Sequence, residues 1–102
     1  MITMATITGI VRVGHGTLVA TTVDKMDFVN YYSRLRVVNR GSGDIFVSTD
    51  GATDPTVAGA EFDVVPANTS VVVAVKVEPA AGTCEIRLIS SGTPAYSVVG
   101  GG

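Results

Sequence analysis

"RLRVVNRGSGDIFVSTD", residues 34–50, is the stretch whose reading decides the fold. Two runs rich in β-branched residues flank Gly41-Ser42-Gly43, and apolar and polar side chains alternate in both. A period of two sends successive side chains to opposite faces of a strand. A short glycine-bearing loop between two such runs predicts a β-hairpin. A register symmetric about Ser42 sets Arg40 opposite Asp44, Val38 opposite Phe46, Arg36 opposite Ser48 and Arg34 opposite Asp50. The other face then pairs Asn39 with Ile45, Val37 with Val47 and Leu35 with Thr49. Such cross-strand pairs contribute roughly 0.2–1 kcal/mol each, and a slip of one residue would mix the faces.

The flanking sequence continues the pattern. "ATITGIVRV" (5–13) is built of β-formers and ends at "GHG", which reads as a turn carrying His15. "TLVATTV" (17–23) reads as a further strand. Phe28, Tyr31, Tyr32 and Leu35 have the spacing of a helix face, but no N-cap box or terminal glycine frames one. Residues 23–29 are therefore expected as a bulged strand, with a turn at 30–33. Residues 51–59 form a turn-rich loop around Asp54-Pro55. "EFDVV" (61–65) is a short strand stopped by Pro66. In 70–78, Val71, Val73, Val75 and Val77 share one face, and Val72, Ala74, Lys76 and Glu78 the other. In 83–90, Cys84, Ile86 and Leu88 are predicted inward, with Glu85 and Arg87 outward. A last strand is expected at 94–99.

Composition agrees. Val, Ile and Thr dominate, while Leu occurs only at positions 18, 35 and 88. Branching at Cβ suits a pleated sheet better than a helix. The 102 residues suit one domain. The expected fold is all-β: a single antiparallel β-sandwich of about eight strands, immunoglobulin-like or jelly-roll, spanning 1–102 with flexible ends at 1–4 and 100–102.

The same features narrow the function. A net charge of −2 argues against nucleic acid as partner. No apolar run reaches the ~20 residues of a membrane span, and the opening "MITMATITG" lacks the basic-then-apolar pattern of a secretory leader. One cysteine cannot form an internal disulfide, and Cys84 on an apolar strand face reads as a small buried hydrophobe. His15 and Cys84 fall short of a four-ligand zinc set. Asp50, Gly51 and Asp54 could offer oxygens to calcium, but their spacing is not that of an EF-hand loop, so turn-forming Asp is the simpler reading. Arg34, Arg36 and Arg40 form a basic row, two of them expected opposite Asp50 and Asp44. No Ser–His–Asp set, paired carboxylates or phosphate loop is evident. The chain is expected to be no enzyme and to need no cofactor.

What remains is surface. Val38 and Phe46 point away from the predicted core, as do Val72 and Ala74. Apolar residues on outer faces, in a chain with only 16% charged residues, predict a patch covered by another chain. Arg36, Val38, Phe46, Val72 and Ala74 are the candidate interface residues; the competing expectation is a covering loop of the same chain, such as 51–60.

The strand ending "VVNR", a short turn, "IFVSTDG", "DPTVAG", "VVPA" and a closing "LISSGTPAYSV" together resemble small virion proteins of tailed bacteriophages. The resemblance covers most of residues 17–99 and includes no catalytic motif. It implies a decoration or minor capsid protein that binds the major capsid protein on the outside of the shell, often as a trimer, after synthesis in the bacterial cytoplasm. Alternatives are a tail or neck component and a fibre-borne carbohydrate-binding module. The last usually needs exposed aromatics, and this chain has no Trp and three Tyr.

Overall fold

The structure is a computed structural model that describes residues 5–49, 54–57, 62–75 and 84–101. Among them are nine strands: β1 (Ala5–Ile10), β2 (Val13–Thr17), β3 (Asp24–Phe28), β4 (Arg34–Asn39), β5 (Ile45–Ser48), β6 (Asp63–Val65), β7 (Ser70–Ala74), β8 (Cys84–Ile89) and β9 (Ala95–Gly100). They form two packed sheets, ordered β1-β3-β8-β5-β6 and β2-β9-β4-β7. The accessible surface is 5120 Å², close to the roughly 5,400 Å² expected for a compact monomer of this mass.

The all-β sandwich expectation holds, and the strand order selects between its two forms. β2 pairs with β9, β3 with β8, β4 with β7 and β5 with β6, all antiparallel. These nested pairs describe one long ribbon closed between β5 and β6 and rolled into two sheets, which is the jelly-roll winding. β1 departs from the antiparallel expectation. It lies parallel to β3, with a register break between Ile7 and Ile10 where Gly9 adopts φ +72°.

The predicted 34–50 hairpin does not form. β4 and β5 lie in different sheets, and residues 40–44 carry the chain across the sandwich as an arch. Leu35 and Val37 on β4, and Ile45 and Val47 on β5, are all buried. An arch sets these two apolar faces against each other through the core, whereas a flat ribbon would leave both needing another cover. The side chain of Asn39, 2% exposed, pins the arch. Its Nδ2 donates to the carbonyls of Gly43 (2.7 Å) and Val65 (3.1 Å), and its Oδ1 accepts from the Gly41 amide at 2.9 Å.

The predicted partners change accordingly. Arg36 lies between Val72 and Val99, and Val38 between Ser70 and Ser97. Phe46 lies between Val64 and Ile89. Asp44 accepts a hydrogen bond from the Ala67 amide at 3.3 Å instead of meeting Arg40. Asp50 lies outside the described residues.

The first third of the chain holds two further corrections. "GHG" is no turn: Gly14, His15 and Gly16 are strand residues of β2. Its glycines face inward because nothing larger fits. A Cβ on Gly14 would come within 2.5 Å of Met26 Sδ, and one on Gly16 within 2.6 Å of Tyr96 Oη. The strand expected at 17–23 keeps only Thr17. Beyond it the Thr22 amide donates to the Val19 carbonyl and Thr21 takes φ +53°, turning the chain toward β3 in the other sheet. β3 itself forms as expected but runs without a bulge against β8. The inward side chains of β8 are the predicted Cys84, Ile86 and Leu88. Val77, Lys76 and Glu78 lie outside the described residues.

Candidate functional site

Two outer faces are open to a partner. On the four-stranded sheet, alternation turns Val13, His15 and Thr17 of β2 outward, with Ala95, Ser97 and Val99 of β9, Arg34, Arg36 and Val38 of β4, and Ser70, Val72 and Ala74 of β7. Register places Val13, Val99, Arg36 and Val72 in one row across all four strands. The next row is His15, Ser97, Val38 and Ser70. Val13 and Val72 are 46% and 40% exposed, and Val99 and Val38 are half-buried. Arg36 donates from Nη1 to Ser70 Oγ at 3.3 Å, and Arg34 and Arg40 are exposed. No acidic side chain occupies this face among the described residues. The expected neutralisation of Arg40 by Asp44 disappears with the hairpin, and Asp50, the expected partner of Arg34, lies outside the described residues.

The outer face of the five-stranded sheet is different. Arg87 donates to Asp54 at 2.7 Å and to Glu85 at 2.9 Å, and these two carboxylates push its already high pKa further up, Glu85 foremost. Lys25 lies 3.8 Å from Asp27. Pro55 is buried, so the 54–57 segment, tied down through Asp54, closes part of this face. Ile89, turned outward beside Phe46, is only 7% exposed. Of the expected covering loop 51–60, the described part is thus held at Arg87 on the sheet that carries Phe46.

Of the five candidate interface residues, Arg36, Val38, Val72 and Ala74 come together on the four-stranded face. Phe46 lies on the opposite side of the molecule and cannot share a planar docking surface with them. Val13 and Val99 complete the apolar row, and Val13 was hidden by reading 14–16 as a turn. The signal was present, since in Val13-Gly-His-Gly-Thr17 every second residue is a glycine, which is alternation between large outward and minimal inward side chains.

Three polar groups bear on the question of chemistry. His15 Nδ1 and Ser97 Oγ are joined by a hydrogen bond of 2.7 Å, the separation of a nucleophile and its base. Ser97, however, is 2% exposed, so its hydroxyl is closed to a substrate, and the bond ties β2 to β9 across the His15–Ser97 pair. Asp24, 3% exposed, accepts from the Tyr96 hydroxyl at 3.0 Å. Burial raises the Asp24 pKa, and the tyrosine bond offsets part of that rise. The same burial, with the nearby carboxylate, drives the Tyr96 pKa far up. The Cys84 thiol donates to the Asn30 carbonyl at 3.5 Å, and burial raises its pKa too, away from the thiolate that reactivity needs.

Among the described residues no three His, Cys, Asp or Glu side chains gather as metal ligands. Asp54, a candidate calcium ligand, is engaged by Arg87. No described helix is long and apolar enough to cross a membrane. The chain matches no protein-family model, no curated protein and no solved structure.

Proposed function

We propose that this protein is a non-enzymatic structural component of a tailed-phage virion, binding the outside of the capsid and stabilising it. The observation that carries the reading is the outer face of the four-stranded sheet. It unites four of the five residues expected at an interface, sets Val13, Val99, Val38 and Val72 among arginines, and sits on a rigid antiparallel scaffold. The jelly-roll winding is one that viral shell proteins use, although lectins and cupins use it too, so the fold adds support by analogy only. The sequence resemblance to small phage virion proteins points the same way.

The physical work of such a protein is adhesion. Full burial of one exposed valine contributes at most about 1.5 kcal/mol, so no single residue holds the complex. Stable attachment needs roughly 1,200–2,000 Å² of contact. The arginines fit acidic or carbonyl-rich surface on the major capsid protein and set orientation and association rate. Across a lattice, many modest contacts act together.

The test is particle biochemistry. Particles lacking the protein should release DNA at a lower temperature, and re-addition of purified protein should restore the original value. Val72→Glu should bind bare capsids at least about tenfold more weakly, a loss of about 1.4 kcal/mol, while Phe46→Ala binds as the parent does. Unchanged heat resistance without the protein removes the stabilising role. A stoichiometry of about a dozen per particle, against hundreds for a shell-covering protein, would move it to a tail or neck ring.

A further inference from the structure

The four-stranded sheet ends at β7, and that edge is built differently from the two edges of the five-stranded sheet, β1 and β6. The Val75 amide donates to the Ser33 carbonyl at 2.9 Å, and the Asn39 amide to the Thr69 carbonyl at 2.8 Å. The β4–β7 register pairs Leu35 with Val73 and Val37 with Val71. Antiparallel ladders alternate hydrogen-bonded and non-bonded pairs. Residues 69, 71, 73 and 75 therefore turn their backbone groups toward β4, and Ser70, Val72 and Ala74 turn theirs away, to the open edge. Of these, the Ala74 carbonyl accepts from Thr49 Oγ1 at 2.7 Å and keeps a second lone pair. No partner for the amide or carbonyl of Val72 is found among the described residues.

Exposed edges are normally guarded by brevity, proline, charge or a bulge. β6 has three residues and stops at Pro66. β1 breaks register between Ile7 and Ile10. β7 reads Ser-Val-Val-Val-Ala, with no proline, glycine or charge and an unbroken register against β4, and Val72 at its middle is 40% exposed.

We infer that β7 is a self-association edge, pairing antiparallel with β7 of a second copy about a twofold axis at Val72. The strand is complementary to itself in that arrangement. Val72 meets Val72 of the second copy and exchanges amide and carbonyl with it. Ser70 meets Ala74 of the second copy, and Ala74 meets its Ser70. The two four-stranded sheets join into one, and the exposed valines cover each other at the axis. This inference rests on the edge alone and does not depend on the virion reading. An edge of five residues makes a contact at or below about 1,200 Å², which belongs to the weak, transient class of interfaces.

Sedimentation of the purified chain over roughly 10 µM to 1 mM tests it without particles. A monomer–dimer equilibrium is expected, with the Val72 amide slowing its hydrogen exchange as dimer forms. Val72→Pro removes the edge donor at a position where proline is tolerated, and Val72→Lys places like charges at the axis. Each should weaken dimerisation at least about tenfold with circular dichroism unchanged, Val72→Lys covering the case in which the proline disturbs folding. Val64→Lys, on the other sheet, should have no effect. A chain that stays monomeric throughout, or a dimer that survives both Val72 substitutions, overturns the proposal.

Discussion

The two sheets enclose one core but offer solvent different things. The five-stranded sheet pairs its outward charges and closes its outer face in part: Arg87 holds Asp54 and Glu85, Lys25 lies near Asp27, and Pro55 is buried, although Val64 at the β6 edge stays 39% exposed. The four-stranded sheet leaves Val13, Val72, Arg34 and Arg40 exposed, with no acid among its described outward residues. A protein that needed only to fold would have reason to treat both alike. The difference teaches that exposure on one side is a property of the sequence and separable from stability, because outward residues of β4 and β7 contribute little to the interior.

That contrast can be broken in a graded series. The largest effect should come from beneath the open face. Gly16→Val drives a branched side chain into the buried Tyr96 ring and should cost about 3 kcal/mol or more, read as a lowered urea midpoint. Next is the link between the sheets. Asn39→Ala removes three side-chain hydrogen bonds and leaves the Val65 carbonyl short of a buried donor, for about 2 kcal/mol. On the open face the effect should move from folding to docking. Arg36→Ala should change thermal stability by under about 0.5 kcal/mol yet slow association with capsids and flatten its salt dependence. On the closed face the reverse holds. Arg87→Ala should leave capsid binding intact and lower stability by under about 1 kcal/mol, because its partners are partly solvated.

The smallest effect is a pH slope. Asp24 holds its proton more tightly folded than unfolded. Its burial therefore lowers stability above the folded pKa, and that loss is recovered as pH falls toward the unfolded value near 3.9. Asp24→Asn keeps an acceptor for Tyr96 and should flatten this part of the profile. Denaturant melts from pH 4 to 8 would show the difference, and an identical slope in both chains would mean that Asp24 does not carry it.

How much of this was legible in the sequence depends on what alternation encodes. It encodes faces. Leu35, Val37, Ile45, Val47, Cys84, Ile86 and Leu88 all lie inward as their spacing predicts. Alternation does not encode neighbours, because a hairpin and an arch bury the same side chains. Gly41-Ser42-Gly43 serves either, and Asn39, the residue that decides for the arch, looks like ordinary loop chemistry until Val65 is beside it. The candidate site shared that fate. Arg36, Val38, Val72 and Ala74 were found because each is outward on its own strand. Phe46 was added because the hairpin made it a neighbour of Val38. The His15–Ser97 contact spans 82 positions, and no local pattern could have announced it.

The nested winding also sets a timetable for synthesis. β9 stands between β2 and β4, and β8 between β3 and β5, so each sheet receives an inner strand from the last fifth of the chain. While the ribosome holds that segment, only fragments such as β4–β7 or β5–β6 can pair. The remaining strands must wait with apolar faces uncovered. Closure is thus a long-range event that waits for β8 and β9, slow by the measure that relates rate to sequence separation, and the nascent chain is most open to misassociation until those two strands have emerged.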